Sequence, residues 1–225
     1  MQDLISGTVA KKADMIAMGE LGFESLALME NASSKIAIYI NRHFTYESEA
    51  RILVLAGVGN NGADAVAAAR MLKETGYDPV VWVVGKLEKA SWEFLYQMFH
   101  FQKLVGRVNL YRVGDELPDC DICIDGIFGI GLHRPVEGVY RSFIEEANAH
   151  TRGFTLAIDA PSGINTDTGE LLGCGIKADV TITFGKNKTG LMTGTGKEYS
   201  GKIFVEDIGI PEEAYTKAEG ELNRT

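Results

Sequence analysis

Seven short apolar runs, separated by stretches with helical spacing, constrain this chain more than any other feature. They are Arg51 to Gly57, Val80 to Val84, Val108 to Val113, Ile122 to Phe128, Phe154 to Ala160, Val180 to Phe184 and Ile203 to Ile208. Runs that are apolar throughout, rather than at alternate positions, belong to strands buried on both faces. Between them lie helical patterns: Ala63 to Thr75, with Gly76 placed as a C-terminal cap; Leu87 to Leu104, with Phe94, Leu95, Met98 and Phe101 inward; and Val139 to Ala149. Residues 8–42 also read as helix, with Leu26, Met29, Ile36 and Ile40 on one face. The alternation predicts an α/β fold with a mostly parallel central sheet covered on both faces. The last strands lack long helical spacers, so that edge is expected to be mixed or antiparallel. One domain is expected over residues 1–211. From Glu212 onward the chain is a polar tail, expected to be loosely held or to lead toward another domain.

Composition excludes several classes of function. The 225 residues are 45% apolar and 24% charged, with a net charge of −9. An acidic chain lacks the basic footprint that nucleic acid or an anionic membrane requires, so neither is an expected partner. An anionic small ligand stays open, because a helix N-terminus can hold phosphate without bulk positive charge. No apolar run reaches the roughly 18 residues of a membrane span. The start, Met1 to Ser6, lacks the basic and then apolar pattern of a signal peptide. The three cysteines, Cys120, Cys123 and Cys174, form no disulfide framework, and a reducing cytoplasmic setting is the default. Cys120 and Cys123 have half-motif spacing. On a strand, however, residues three apart face opposite sides, which favours a structural role.

Ligands of doubly wound sheets gather outside the carboxyl ends of the strands. Three such ends carry unusual residues. The first is Gly57-Val58-Gly59-Asn60-Asn61-Gly62-Ala63-Asp64, a Gly-x-Gly-x-x-Gly between strand and helix. A bare phosphate cradle has no need of two amides and a carboxylate, which suit polar ligand edges or a hard cation. The second runs from Asp125 through Gly129, Ile130, Gly131, Leu132, His133, Arg134 and Pro135. Arg134 can pair with phosphate; the plainer alternative is a loop-capping Asp125 and a solvated Arg134. The third is Asp159-Ala160-Pro161-Ser162-Gly163. Its aspartate is placed as a catalytic acid or base, or else as a turn cap. The four histidines show no metal-ligand spacing, and Ser162 lacks the nucleophile-elbow context. Lys186 and Lys188 follow a strand, within reach of an anion or, as is commoner for such lysines, solvated.

At these residues the chain resembles the NAD(P)H-hydrate epimerases, the YjeF N-terminal domain family. The resemblance runs through Leu28-Met29-Glu30-Asn31-Ala32, Gly57 to Asp64, Asp125 to Pro135, Asp159 to Gly163, Asp167-Thr168-Gly169, Ala178 to Phe184 and Asp207 to Pro211. It implies a Rossmann-like three-layer α/β/α sandwich and a homodimer. It implies an isomerase that interconverts the R and S forms of hydrated NADH and NADPH (NADHX and NADPHX). A dehydratase, fused in many members, then restores the normal cofactor. By the same resemblance, Asn60, Asn61, Gly62, Ala63 and Asp64, the loop Gly129 to Pro135, and Asp159 contact the substrate. Asn61, Asp125 and Ser162 hold a potassium ion, and Asp159 is the candidate catalytic residue.

One departure stands out. The family loop usually reads Asn-Asn-Gly-Gly-Asp-Gly, and this chain has Ala63 and Ala65 in place of two glycines. Alanine there is strained if φ is positive and favourable if both positions lie in a first helical turn. Two rivals remain at this level. A nicotinamide oxidoreductase wants an acid near the end of the second strand, where Val84-Gly85-Lys86 has none before Glu88. A non-catalytic binding module would show eroded site residues.

Overall fold

The computed structural model describes residues 4–44 and 50–224. Met1 to Asp3, part of the segment read for a leader, lies outside the described residues. In chain order the elements are β1 (Leu4–Ile5), α1 (Gly7–Gly19), α2 (Ser25–His43), β2 (Ile52–Ala56), α3 (Asn60–Glu74), β3 (Val80–Val83), α4 (Trp92–Lys103), β4 (Arg107–Leu110), β5 (Cys120–Gly126), α5 (Gly138–His150), β6 (Thr151–Ile158), β7 (Val180–Phe184), β8 (Asn187–Lys188), α6 (Gly194–Tyr199), β9 (Lys202–Glu206) and α7 (Glu212–Leu222). Among the described residues no helix is long and apolar enough to cross a membrane.

Seven strands form one sheet in the order β4-β3-β2-β5-β6-β7-β9, and every adjacent pair is parallel. The expected mixed edge is therefore wrong. β8, a 3-10 turn at Thr189–Leu191 and the short α6 supply the crossover that returns the chain from β7 to a parallel β9. Ile52, Val54 and Ala56 of β2 point into one core with Met29, Ile36 and Ile40 of α2, Val66 and Leu72 of α3, and Phe94 and Phe101 of α4. Leu53 and Leu55 point the other way, against Phe143, Ile144 and Ala147 of α5. That alternation through a fully buried strand is the period-two pleat beneath the continuous apolar run.

Several boundaries differ from the sequence reading. The long N-terminal helix is two helices, parted at Leu21 to Glu24, where Gly22 has φ +74°. α1 turns away from the sheet and packs Ala10, Ala13, Ile16 and Ala17 against Ala214, Tyr215 and Ala218 of α7. The stretch from Glu212, expected to be a loose tail, is thus a docked helix. Its three small or aromatic apolar residues are buried while its charges face out. α4 starts only after a 3-10 turn at Leu87–Lys89, where Ser91 accepts a hydrogen bond from the amide of Phe94 at 3.1 Å. Leu95, expected inward, is exposed. Cys120 and Cys123 are both buried in the α5-side core rather than on opposite faces. A register shift between Cys120 and Ile122 rotates the strand there, as a bulge does.

The first turn of α3 resolves the question of the two alanines. Ala63 and Ala65 are helical and fully buried, and neither has positive φ. The Ala65 methyl fills the space above Gly126, which a second Cβ would contest. Gly62 has the opposite requirement, since a Cβ there would meet the carbonyl oxygen of Gly57. Gly62→Ala is expected to lower stability by about 1–3 kcal/mol through overpacking. Ala63→Gly should lose about 1 kcal/mol of helix propensity. Urea unfolding of both variants checks this, and a Gly62→Ala protein as stable as the parent would refute the close approach.

Candidate functional site

In the strand order, β3 and β4 lie on one side of β2, and β5, β6, β7 and β9 lie on the other. The chain reverses its direction of travel between β2 and β5. The loops leaving those two strands therefore part, and open a crevice at the carboxyl edge of the sheet. A cavity of about 470 Å³ occupies that crevice, within the usual size range for small-molecule sites. The Gly57–Asn61 loop and the Ile127–Leu132 loop form its mouth, α1 and α2 form a wall, and Asp159 and Lys188 reach it from β6 and β8.

Asp159 has φ +64°, a left-handed conformation that costs a non-glycine residue roughly 1–2 kcal/mol. Such strain persists where the surroundings over-determine it, often at functional sites. Here three donors converge on Asp159 Oδ1: Lys188 Nζ at 2.7 Å, Thr183 Oγ1 at 3.0 Å and the Phe184 amide at 3.4 Å. Lys188 is only 1% exposed and also donates to Thr183 Oγ1 and to the Phe184 carbonyl, each at 2.8 Å. It is not the solvated lysine expected from its place after a strand. β8 turns it inward, while Lys186 pairs with Glu212 at 2.6 Å.

Asp125 stands behind the cavity, fully buried. Its Oδ1 accepts from Ser162 Oγ at 2.6 Å and from the Ile127 amide at 3.3 Å, and its Oδ2 accepts from the Ser162 amide at 2.8 Å. Burial pushes this carboxyl up to about 6, and the hydrogen bonds from Ser162 and Ile127 oppose the shift. The Phe128 amide donates to Ser162 Oγ at 2.9 Å, which ties the second loop to the third. The Asn61 side chain lies against the second loop: a Cβ on Gly129 would lie 2.9 Å from Asn61 Oδ1. Asn61 Nδ2 is buried and has no protein partner, as is true among the described residues of Trp82 Nε1, Thr166 Oγ1 and Asn187 Oδ1. Among the described residues no three His, Cys, Asp or Glu side chains cluster as metal ligands.

Two further carboxyls line the cavity. Asp64 follows the Asn-Asn pair, and Asp14 comes from α1. Burial pushes Asp64 well above the usual carboxylate range, with the charges of Asp159 and Asp14 adding to the shift. Burial and the charge of Asp159 raise Asp14 to about 7, against the opposing pull of Lys188. Burial also drives the Tyr215 phenol upward, assisted by Asp14 and Asp159.

The structure thus brings Asn60, Asn61, Asp64, Gly129, Ile130, Gly131, Leu132 and Asp159 to one cavity. Gly62, Ala63, Asp125 and Ser162 pack just behind it. His133, Arg134 and Pro135 lie outside its lining and are exposed. His133 faces Asp167 at 3.9 Å, and Asp167 caps α1 through the Thr8 amide at 2.9 Å and the Thr8 hydroxyl at 2.7 Å. Asp14, Tyr140 and Tyr215 are among the cavity residues that the sequence did not disclose. The available signal for Asp14 was a carboxylate on a helix face otherwise made of Ala10, Ala13 and Ala17.

Residues 25–190 match the family described as YjeF-related protein N-terminus. A Limosilactobacillus fermentum protein named NAD(P)H-hydrate epimerase is 39% identical over 208 residues, spanning 92% of this chain and 97% of its own length. A Levilactobacillus brevis protein of the same name is 36% identical over 213 residues, covering 93% and 95%. The crystal structure of yeast ynu0 superposes with a TM-score of 0.82 over 96% of this chain and 93% of that one, at 23% identity, and so shares the fold. The matched span contains both cavity loops, Asp159 and Lys188, and the chain belongs to the YjeF N-terminal domain family.

Proposed function

We propose that this protein is an NAD(P)H-hydrate epimerase, an isomerase of nicotinamide-nucleotide repair. The observation that carries it is Asp159, held in a strained backbone by a buried lysine at the floor of a cavity at the sheet's switch point. Near-full-length similarity to proteins of that name supports the same reading.

The substrate carries a hydroxyl on a ring carbon bonded to the ring nitrogen. Protonation of that oxygen lets the nitrogen lone pair expel water, leaving a planar iminium. Water then adds to either face and loses a proton, so nothing is oxidised or reduced. Asp159 is the group placed to move that proton. Its Oδ1 is tied to Lys188, Thr183 and the Phe184 amide, while its Oδ2 has no protein hydrogen bond among the described residues. Asn60 to Asp64 and Gly129 to Leu132 take the nucleotide. α3 begins at Gly59 without a side-chain cap, so its first amides are available to a diphosphate. His133, Arg134 and Pro135 reach the ligand only from the cavity rim. A binding module that had lost the reaction would not need the Asp159–Lys188 pair kept buried and hydrogen-bonded.

Asn61, Asp125 and Ser162 would hold potassium. Each of the three can offer oxygen, which suits a hard cation; the unpartnered Asn61 Nδ2 is a donor and calls for an acceptor on the nucleotide rather than for the ion. The ion would offset the buried Asp125 charge and fix the two loops that Ser162 joins. The functional partner is a dehydratase that consumes one epimer, separate or fused, and the cytoplasm is the proposed setting. A homodimer would use α4, whose Trp92, Leu95, Tyr96 and Phe99 recur at helical spacing on its exposed face.

Mixed with R-NADHX in potassium buffer, the protein is expected to bring the R and S forms to equilibrium faster than the spontaneous reaction. Asp159→Asn should lower the rate about 10²–10⁴-fold with binding retained. Full activity in that variant would sink the assignment. Potassium should raise the thermal midpoint of the parent more than lithium does, and Asn61→Ala should abolish the difference. An unchanged difference would remove Asn61 from the ion site. Phe99→Asp should convert a dimer to a monomer by sedimentation, whereas a monomeric parent would dispose of the α4 interface.

A further inference from the structure

Epimerisation presents two faces of one planar intermediate. A proton must be given to oxygen on the face that loses water and taken from water on the face that gains it. A single carboxyl fixed at one side of the ring is poorly placed for both. Asp159 is fixed, because Lys188, Thr183 and the Phe184 amide all hold its Oδ1.

Asp14 enters the same cavity from a different element. It lies on α1, while Asp159 ends β6, and both line the cavity. Among the described residues Asp14 has no hydrogen-bond partner and no ion pair, although its own helix makes others: Lys12 pairs with Glu221 at 2.7 Å on the far side. The groups that face Asp14 are Asp159 at the end of β6, Lys188 of β8, Asp64 of α3 and Tyr215 of α7, with Lys11 of its own helix on the cavity wall. Three carboxyls, the Tyr140 and Tyr215 phenols, the buried Lys188 ammonium and Lys11 thus line a space of about 470 Å³. Asp14 is half-buried on the wall of this open cavity, and with no protein partner its carboxyl is left for water or for a ligand to meet.

We propose that Asp14 is a second catalytic carboxyl of this site, serving the face of the nicotinamide ring opposite to the one that Asp159 serves. The proposal rests on the epimerase reading and extends it. In one direction Asp14 gives its proton to the departing hydroxyl, the C–O bond breaks, and water leaves. The Asp159 carboxylate then takes a proton from the water that adds to the other face. In the reverse direction the two exchange roles. Each direction therefore requires one protonated and one ionised carboxyl. Burial and the charge of Asp159 keep the Asp14 proton in place up to about pH 7. The rate should accordingly fall as pH rises through about 7, when Asp14 loses that proton. Burial raises Asp64 as well, with the charges of Asp159 and Asp14 adding to the shift.

The test is the pH profile of epimerisation with NADHX for the parent, Asp14→Asn and Asp14→Glu, with folding checked by thermal melting. For Asp14→Asn, kcat should fall at least about 100-fold with KM within a few-fold, and the decline above pH 7 should vanish from the residual rate. Asp14→Glu, which keeps a carboxyl, should recover part of kcat and retain a declining limb at a shifted pH. It serves as the deciding variant if Asp14→Asn fails to fold. Parental kcat with an unchanged limb in Asp14→Asn, or Asp14→Glu folded and active with the parental limb in place of a shifted one, would overturn the role while leaving the epimerase reading intact. An inactive parent, folded and with potassium present, would overturn both.

Discussion

A lysine ammonium withdrawn from water must find its partners inside the protein, and Lys188 finds them in Thr183 and Phe184 of β7 and in Asp159 just after β6. Much of the site depends on that requirement. The ammonium pulls β8 against the end of the sheet, and β8 pairs in parallel with β1, Leu4 opposite Asn187 and Ile5 opposite Lys188. β1 leads directly into α1, which forms one wall of the cavity. The buried charge therefore positions a catalytic candidate and also sets where a whole wall of the cavity stands. Removing one partner of such a pair is far more disruptive than the pair is stabilising, because the survivor is left uncompensated.

Around that pair the cavity concentrates acid groups that water would ordinarily keep ionised. Asp159 is paired with the Lys188 ammonium and Asp14 lies near it, while desolvation shifts the balance for Asp14 and Asp64 toward the neutral form. A site with protonated carboxyls can receive an anionic nucleotide without the full repulsion that three charges would impose. The N-terminus of α3 adds a region of positive potential beside it. This local chemistry differs from the net charge of −9, which reflects the solvated surface.

The sheet was legible because its signal is local. Strands buried on both faces write themselves as unbroken apolar runs, and all seven are present within a few residues of where the sequence puts them. The Asn-rich loop, Asp125 and Asp159 were legible because they stand at strand ends. What the sequence concealed came from longer range. Whether the last edge is parallel depends on a crossover made of a 3-10 turn and a six-residue helix, too short to leave a periodic signature. Lys188 looks like any lysine after a strand until β8 turns it inward. Asp14 and Tyr215 become neighbours only when α7 docks on α1, joining opposite ends of the chain. The bulge at Cys120, which puts both cysteines on one face, leaves no mark in the residue pattern.

The fastening of α1 is unusually non-local. Its first turn is capped by Asp167, 159 residues away, and the strand that precedes it pairs with Asn187 and Lys188. Contacts of such separation carry the largest loop-closure entropy and come late in folding, whereas β2, α3 and β3 are neighbours in sequence. The doubly wound sheet can thus assemble before the cavity has its fourth side. During synthesis α1 must wait for α7 to emerge before it can dock on it. Its face of Ala10, Ala13, Ile16 and Ala17 stays uncovered until then. The three alanines keep the apolar surface shown in that interval small, with Ile16 the one large side chain on the face.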